Sequence, residues 1–187
     1  EINTLVVRLY GDSYKIGNTR LAPINGKDIN EGVELTGVSV DGVLCDLKDP
    51  KMAQRSGTNI RFQLKDPLKP GSKLTFKASW KQRIPSYTKY RTGAYDSTTF
   101  FIAYWYPQIA VYDDIFGWDD LDYLIRSEFY NNLANYDVEI TVPEKYVVWA
   151  TGTFENAGEV LPAAIYDKYQ KAWTSEDPTH VLSMQDI

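Results

Sequence analysis

Histidine is nearly absent from this 187-residue chain, and His180 is its only representative. A hydrolytic zinc centre of the His-Glu-x-x-His type takes two histidines one helical turn apart, with a glutamate between them as general base. One imidazole cannot build it. His180 precedes Val-Leu-Ser-Met in a strand-like run and is expected to be structural. Cysteine is as scarce: Cys45 stands alone, so no internal disulfide forms. Without basic neighbours to stabilise a thiolate, Cys45 reads as a small core hydrophobe. No Gly-x-Ser-x-Gly elbow presents a serine, and no glycine-rich loop is built for phosphates. Apart from one acidic stretch, taken up below, the chain therefore offers no catalytic residues and no metal ligands of its own. No apolar run approaches the ~18 residues of a spanning helix, so no membrane span is expected. Basic residues are outnumbered, 20 against 25 acidic, for a net charge of −5. They are also scattered, which argues against nucleic acid as a partner.

What the chain has is aromatic surface: 14 Tyr, 7 Phe and 5 Trp, much of it between Phe100 and Trp149. Such residues favour pleated, half-buried surfaces and also line sugar and peptide clefts. Period-two alternation recurs, the mark of strands with one wet face. Leu5, Val7 and Leu9 share a side within 3–10, and Ile60, Phe62 and Leu64 alternate with Arg61, Gln63 and Lys65. Leu74, Phe76, Ala78 and Trp80 alternate with Lys73, Thr75, Lys77, Ser79 and Lys81. Gly32 to Val40 is β-rich, and Asp41-Gly42 predicts a hairpin turn into Val43 to Leu47. Asp66 to Gly71 predicts a turn between the two alternating strands. Further strands are predicted over 98–106, 138–142, 146–151 and 179–184. Helix is confined to a turn or two in 119–126 and to 163–171, which suits helix or strand. The pattern predicts an all-β, mostly antiparallel fold of two or more packed sheets with little helix, in one domain over 1–187. Opening at Glu1 without methionine and entering a strand by Asn3, the chain reads as a mature or excised segment.

One stretch concentrates acid and aromatics: Tyr112-Asp113-Asp114-Ile115-Phe116-Gly117-Trp118-Asp119-Asp120-Leu121-Asp122-Tyr123. Three readings are open. Its carboxylates are solvated or cap a helix start, with Phe116 and Trp118 pinning the loop to the core. Alternatively they supply oxygens to calcium, although the Asp-x-Asp-x-Asp-Gly order of the helix-loop-helix site is missing. In the third reading they contact a ligand directly, and a glycosidase would need two of them facing each other across a cleft.

The same region resembles a known family. Phe101-Ile102-Ala103-Tyr104-Trp105-Tyr106-Pro107, running on to Tyr112-Asp113-Asp114, is similar to the Trp-Tyr-Pro…Tyr-Asp stretch of bacterial aminopeptidase-N-like zinc metallopeptidases. Gly117-Trp118, Glu128-Phe129-Tyr130, Tyr136 to Pro143 and Val147 to Gly152 continue the likeness, which covers most of the chain. It implies a saddle-like β-sandwich, the non-catalytic N-terminal domain of such an enzyme, truncated at its ends. Its partner would be its own catalytic domain, whose peptide cleft it shapes, with zinc held there and no cofactor in this chain. A periplasmic, extracellular or cell-surface location would follow. Candidates for the cleft or the domain interface are Tyr112, Asp113, Asp114, Trp118 and Glu128. The chain departs from the family in two places: 96–101 lacks the glutamine that precedes the Phe-Pro element, and Asp113-Asp114-Ile115 replaces Asp-Glu-Pro. A different class also fits the aromatics, a stand-alone carbohydrate-binding β-sandwich.

Overall fold

The computed structural model describes residues 1–183. It divides into two compact units, Glu1–Tyr136 and the residues from Asp137 onward.

The first unit is mostly antiparallel β. Its strands are β1 (Ile2–Arg8), β2 (Glu34–Val40), β3 (Val43–Leu44), β4 (Ala53–Ser56), β5 (Asn59–Leu68) and β6 (Phe76–Lys81). Five two-residue strands follow: β7 (Gly93–Ala94), β8 (Phe100–Phe101), β9 (Gln108–Ile109), β10 (Tyr112–Asp113) and β11 (Gly117–Trp118). One sheet runs β4-β5-β1-β9 and another β3-β2-β6, while β7-β8 and β10-β11 are separate ribbons. Leu5, Val7, Ile60, Phe62 and Leu64 of the first sheet form one buried cluster with Leu35, Val38 and Val40 of the second. Phe76, Ala78 and Trp80 of β6 pack on its margin. The arrangement is a sandwich, with one apolar face of each sheet turned inward.

Alternation reads correctly in β5 and β6. Ile60, Phe62 and Leu64 are buried while Gln63 and Lys65 are exposed, and Lys77, Ser79 and Lys81 face water. In β1 the expected wet face is covered instead. Val6 and Arg8 are buried along with Leu5 and Val7, because Arg8 is roofed by the segment 119–121, to which its guanidinium donates. The Asp41-Gly42 turn joins β2 to β3 with both residues at positive φ (47° and 79°), the conformation a two-residue hairpin needs. The turn expected at Asp66 begins later, at Lys69, whose carbonyl accepts from Ser72 N–H. Asp66 and Pro67 instead stay within β5, where its register with β1 shifts between Ile2 and Thr4. A proline, having no N–H to give, is tolerated at such an irregularity.

Other expectations are corrected. The strand over 98–106 shrinks to Phe100–Phe101, since Tyr104 takes φ +37° and breaks the extended path. No helix forms over 119–126. The carbonyls of Asp119 and Leu121 accept from Arg8, that of Asp120 from Asn59, and that of Leu124 from Leu21 N–H, so they are spent outside any helical ladder. In the second unit, 138–142 and 146–151 carry no strand, and Val138, Ile140 and Val142 are exposed. The described part of the last predicted strand, 179–183, is also irregular, and Met184 lies outside the described residues. His180 is exposed and outside any strand, so it has no core role.

Among its described residues the second unit has two helices, α1 (Ala157–Val160) and α2 (Ala163–Ala172), so 163–171 is helical. Pro162 precedes the first turn, where a missing N–H costs nothing. Ile165, Tyr166 and Tyr169 recur at helical spacing and pack with Ala157, Leu161 and Phe154. Among the described residues no helix is long and apolar enough to cross a membrane.

Candidate functional site

The acidic aromatic stretch folds as a tight hairpin. Tyr112 faces Trp118 and Asp113 faces Gly117 across β10-β11. The two rings meet edge to face with centroids 5.2 Å apart. Asp113 Oδ1 accepts the N–H groups of Ile115 (2.9 Å) and Phe116 (2.7 Å), so this carboxylate braces the tip from within. Gly117 closes the turn at φ +74°, a conformation that strains other residues. The hairpin is anchored at one side only: the Trp118 indole N–H donates to Thr4 O (3.0 Å), and its ring packs on the sandwich core.

The tip faces the other way. Ile115 is 78% and Phe116 84% exposed, and Asp114 beside them is exposed too. Phe116 therefore does not pin the loop to the core, contrary to expectation; Trp118 alone does that.

The remaining carboxylates of the stretch disperse to separate partners. Asp119 forms an ion pair with buried Arg8. Asp120 pairs with Arg61 at 2.5 Å. Asp122 Oδ1 accepts Thr58 N–H at 2.9 Å. Each carboxylate is thus engaged in holding the loop to β1 or β5. Among the described residues no group of three or more His, Cys, Asp and Glu is arranged to hold a metal ion.

Glu128 belongs to a different neighbourhood. It pairs with Arg91 at 3.2 Å, and the Arg91 guanidinium lies 5.2 Å from the Phe129 ring centroid. Phe129 is part of an aromatic cluster with Tyr10, Tyr104 and Tyr123, its centroid 4.9 to 5.1 Å from theirs. Three of the positive-φ residues that are not glycine, Arg91, Tyr104 and Ile125, sit in or against this cluster. Tyrosine hydroxyls tie the loops together here. Tyr104 donates to Tyr90 O, Tyr123 to Ile125 O and Tyr14 to Thr88 O. Burial pushes the Tyr104 hydroxyl well above the ordinary phenol range and lifts Tyr14 to about 12. These groups act as neutral hydrogen-bond donors at physiological pH, not as acids or bases.

Of the five candidates, then, Tyr112, Asp113, Asp114 and Trp118 share one braced hairpin, and Glu128 stands with Arg91. Arg91 carried no sequence signal, because what brings it to Glu128 is the turn at its own positive φ. Cys45 behaves as expected: half-buried against the core, its thiol is pushed up by burial. The second unit adds a shallow cavity of about 280 Å³, lined by Phe154, Glu155, Tyr166, Tyr169, Gln170 and Trp173 among others.

No family model matches the chain, and neither does any curated protein or solved structure.

Proposed function

We propose that this chain is a non-catalytic N-terminal domain of an aminopeptidase-like zinc metallopeptidase, packing on a catalytic domain and shaping its peptide cleft. The chemistry is negative on its own account: a single histidine leaves no His-Glu-x-x-His set, so zinc and its general base would come from the partner domain. The observation that carries the reading is the β10-β11 hairpin. Its two arms, Tyr112-Asp113-Asp114 and Gly117-Trp118, belong to the stretch that resembles the family. Its braced tip, where the chain departs from the family, holds two large apolar side chains, Ile115 and Phe116, out in water. Exposed apolar groups on a braced turn are what a docking surface needs, since little conformational freedom is lost on contact. Asp114 at the same tip adds negative charge that favours a peptide's cationic amino terminus.

The test uses the full polypeptide with Ile115→Ser and Phe116→Ser together. The domain should keep its fold while limited proteolysis separates it from its neighbour at least several-fold faster. Proteolysis at an unchanged rate would remove the hairpin from the interface.

The carbohydrate-binding reading draws on the second unit, where Tyr166, Tyr169 and the exposed Trp173 line the shallow cavity beside Glu155 and Gln170. Saturable quenching of tryptophan fluorescence by a defined oligosaccharide would favour it.

A further inference from the structure

β6 is the outer strand of its sheet. It pairs with β2 on one edge only, and among the described residues its backbone makes no hydrogen bond on the other. The direction of each backbone group follows from the register. Asp41 N–H donates to Thr75 O (2.8 Å), so the Thr75 carbonyl points toward β2. Alternation then turns the backbone groups of Lys77, Ser79 and Lys81 toward β2 and those of Phe76, Ala78 and Trp80 outward. Three consecutive outward positions form a template for another strand.

The two faces of that edge differ in a way that selects what can pair with it. On one face Phe76, Ala78 and Trp80 are only half-buried, at the margin of the core. On the other, Lys77 and Lys81 are exposed, and Lys73 continues the row just ahead of the strand. Residues four apart on one strand face are about 13 Å apart, so the lysines form a spaced basic row. Glu34 lies opposite Lys81, whereas Lys77 faces Ser39. The Asp41 carboxylate is engaged at the end of the strand, where its Oδ1 accepts Thr75 N–H. A second copy of this chain is a poor occupant, because edge-to-edge pairing would set one lysine row against another. The overall charge of −5 does not decide the matter, since at physiological salt only charges within about 8 Å are felt strongly.

We propose that the outer edge of β6 is a strand-addition site for an extended acidic segment, one alternating apolar residues with Asp or Glu. Its apolar side chains extend the cover over Phe76 and Ala78, beside Trp80, whose indole stacks on Trp105 and donates to its carbonyl (2.9 Å). The segment's carboxylates meet Lys73, Lys77 and Lys81. Backbone bonds to Phe76, Ala78 and Trp80 supply the affinity, and the lysines supply the choice of partner. Two or three cross-strand ion pairs of ordinary strength amount to about tenfold in affinity.

Three capped heptapeptides titrated into the intact chain test this: alternating valine and glutamate, alternating valine and lysine, and the glutamate peptide N-methylated on its bonding edge. Binding and backbone amide exchange are read by NMR. The glutamate peptide should bind saturably, about tenfold tighter than the lysine peptide, and slow exchange at Phe76, Ala78 and Trp80. N-methylation should abolish binding. Lys77→Glu with Lys81→Glu, on the solvated face, should keep the fold and reverse the preference. Ala78→Pro should block both peptides by removing an outward N–H. Failure of all three peptides to bind, equal binding of all three, protection of β4 or β9 in place of β6, or concentration-dependent pairing of two copies through β6 would each overturn the proposal.

Discussion

Asp28 has no exposure to water, and its carboxylate accepts the N–H groups of Ser86 (2.9 Å), Tyr87 (3.0 Å) and Thr88 (2.6 Å). One buried charge thus holds the start of the loop that carries Arg91. Asp28→Asn keeps the shape but turns one acceptor into a donor facing N–H groups. It should cost about 2–3 kcal/mol in urea unfolding. Gly57 is tighter still. At φ +51° an added Cβ would stand 1.9 Å from Asp122 Oδ1, the atom that accepts Thr58 N–H. Gly57→Ala should destabilise by about 2–4 kcal/mol, from strain and the loss of that bond.

Tyr14 makes a pH prediction at the same scale. Burial raises its folded pKa from about 10 to about 12, so the folded state holds the phenol proton longer than the unfolded chain does. The stability this contributes is whole below pH 10 and is lost as pH climbs from about 10 to about 12. Tyr14→Phe should lose only about 1 kcal/mol at neutral pH, for the bond to Thr88 O. It should also make the alkaline decline of stability shallower. A decline of unchanged steepness would assign the alkaline sensitivity elsewhere.

Among the elements, the sandwich strands were the legible part of the sequence, and the reason is physical. β5 and β6 each bury one face, so period-two patterning writes itself into Ile60-Phe62-Leu64 and Phe76-Ala78-Trp80. Phe62, at 0% exposure, is the centre of that core, and Phe62→Ala should cost about 3–5 kcal/mol. The failures share a cause as well. Where long-range polar bonds decide the backbone, local pattern misleads: Arg8 and Asn59 take the carbonyls of 119–121 and prevent a helix there. β1 hid its second buried face for the same reason, since an arginine reads as solvated until its roof is known. In the candidate site, the grouping of Tyr112, Asp113 and Trp118 was visible because they are adjacent in sequence. The outward turn of Phe116 was not visible, because aromatics usually mark the core and it is the long-range bond of the Trp118 indole to Thr4 O that decides which ring faces in.

On the scale of the whole molecule, the proposed role is to supply shape to chemistry performed elsewhere. The most direct measurement is release of N-terminal amino acids from peptides, with bound zinc quantified in the same samples. The isolated chain is compared with the full-length product of its gene, which the proposal expects to be longer. The account predicts neither zinc nor cleavage from the isolated chain, and both from the longer polypeptide. Peptide cleavage by the isolated chain, or a continuation that holds no zinc peptidase, would contradict it.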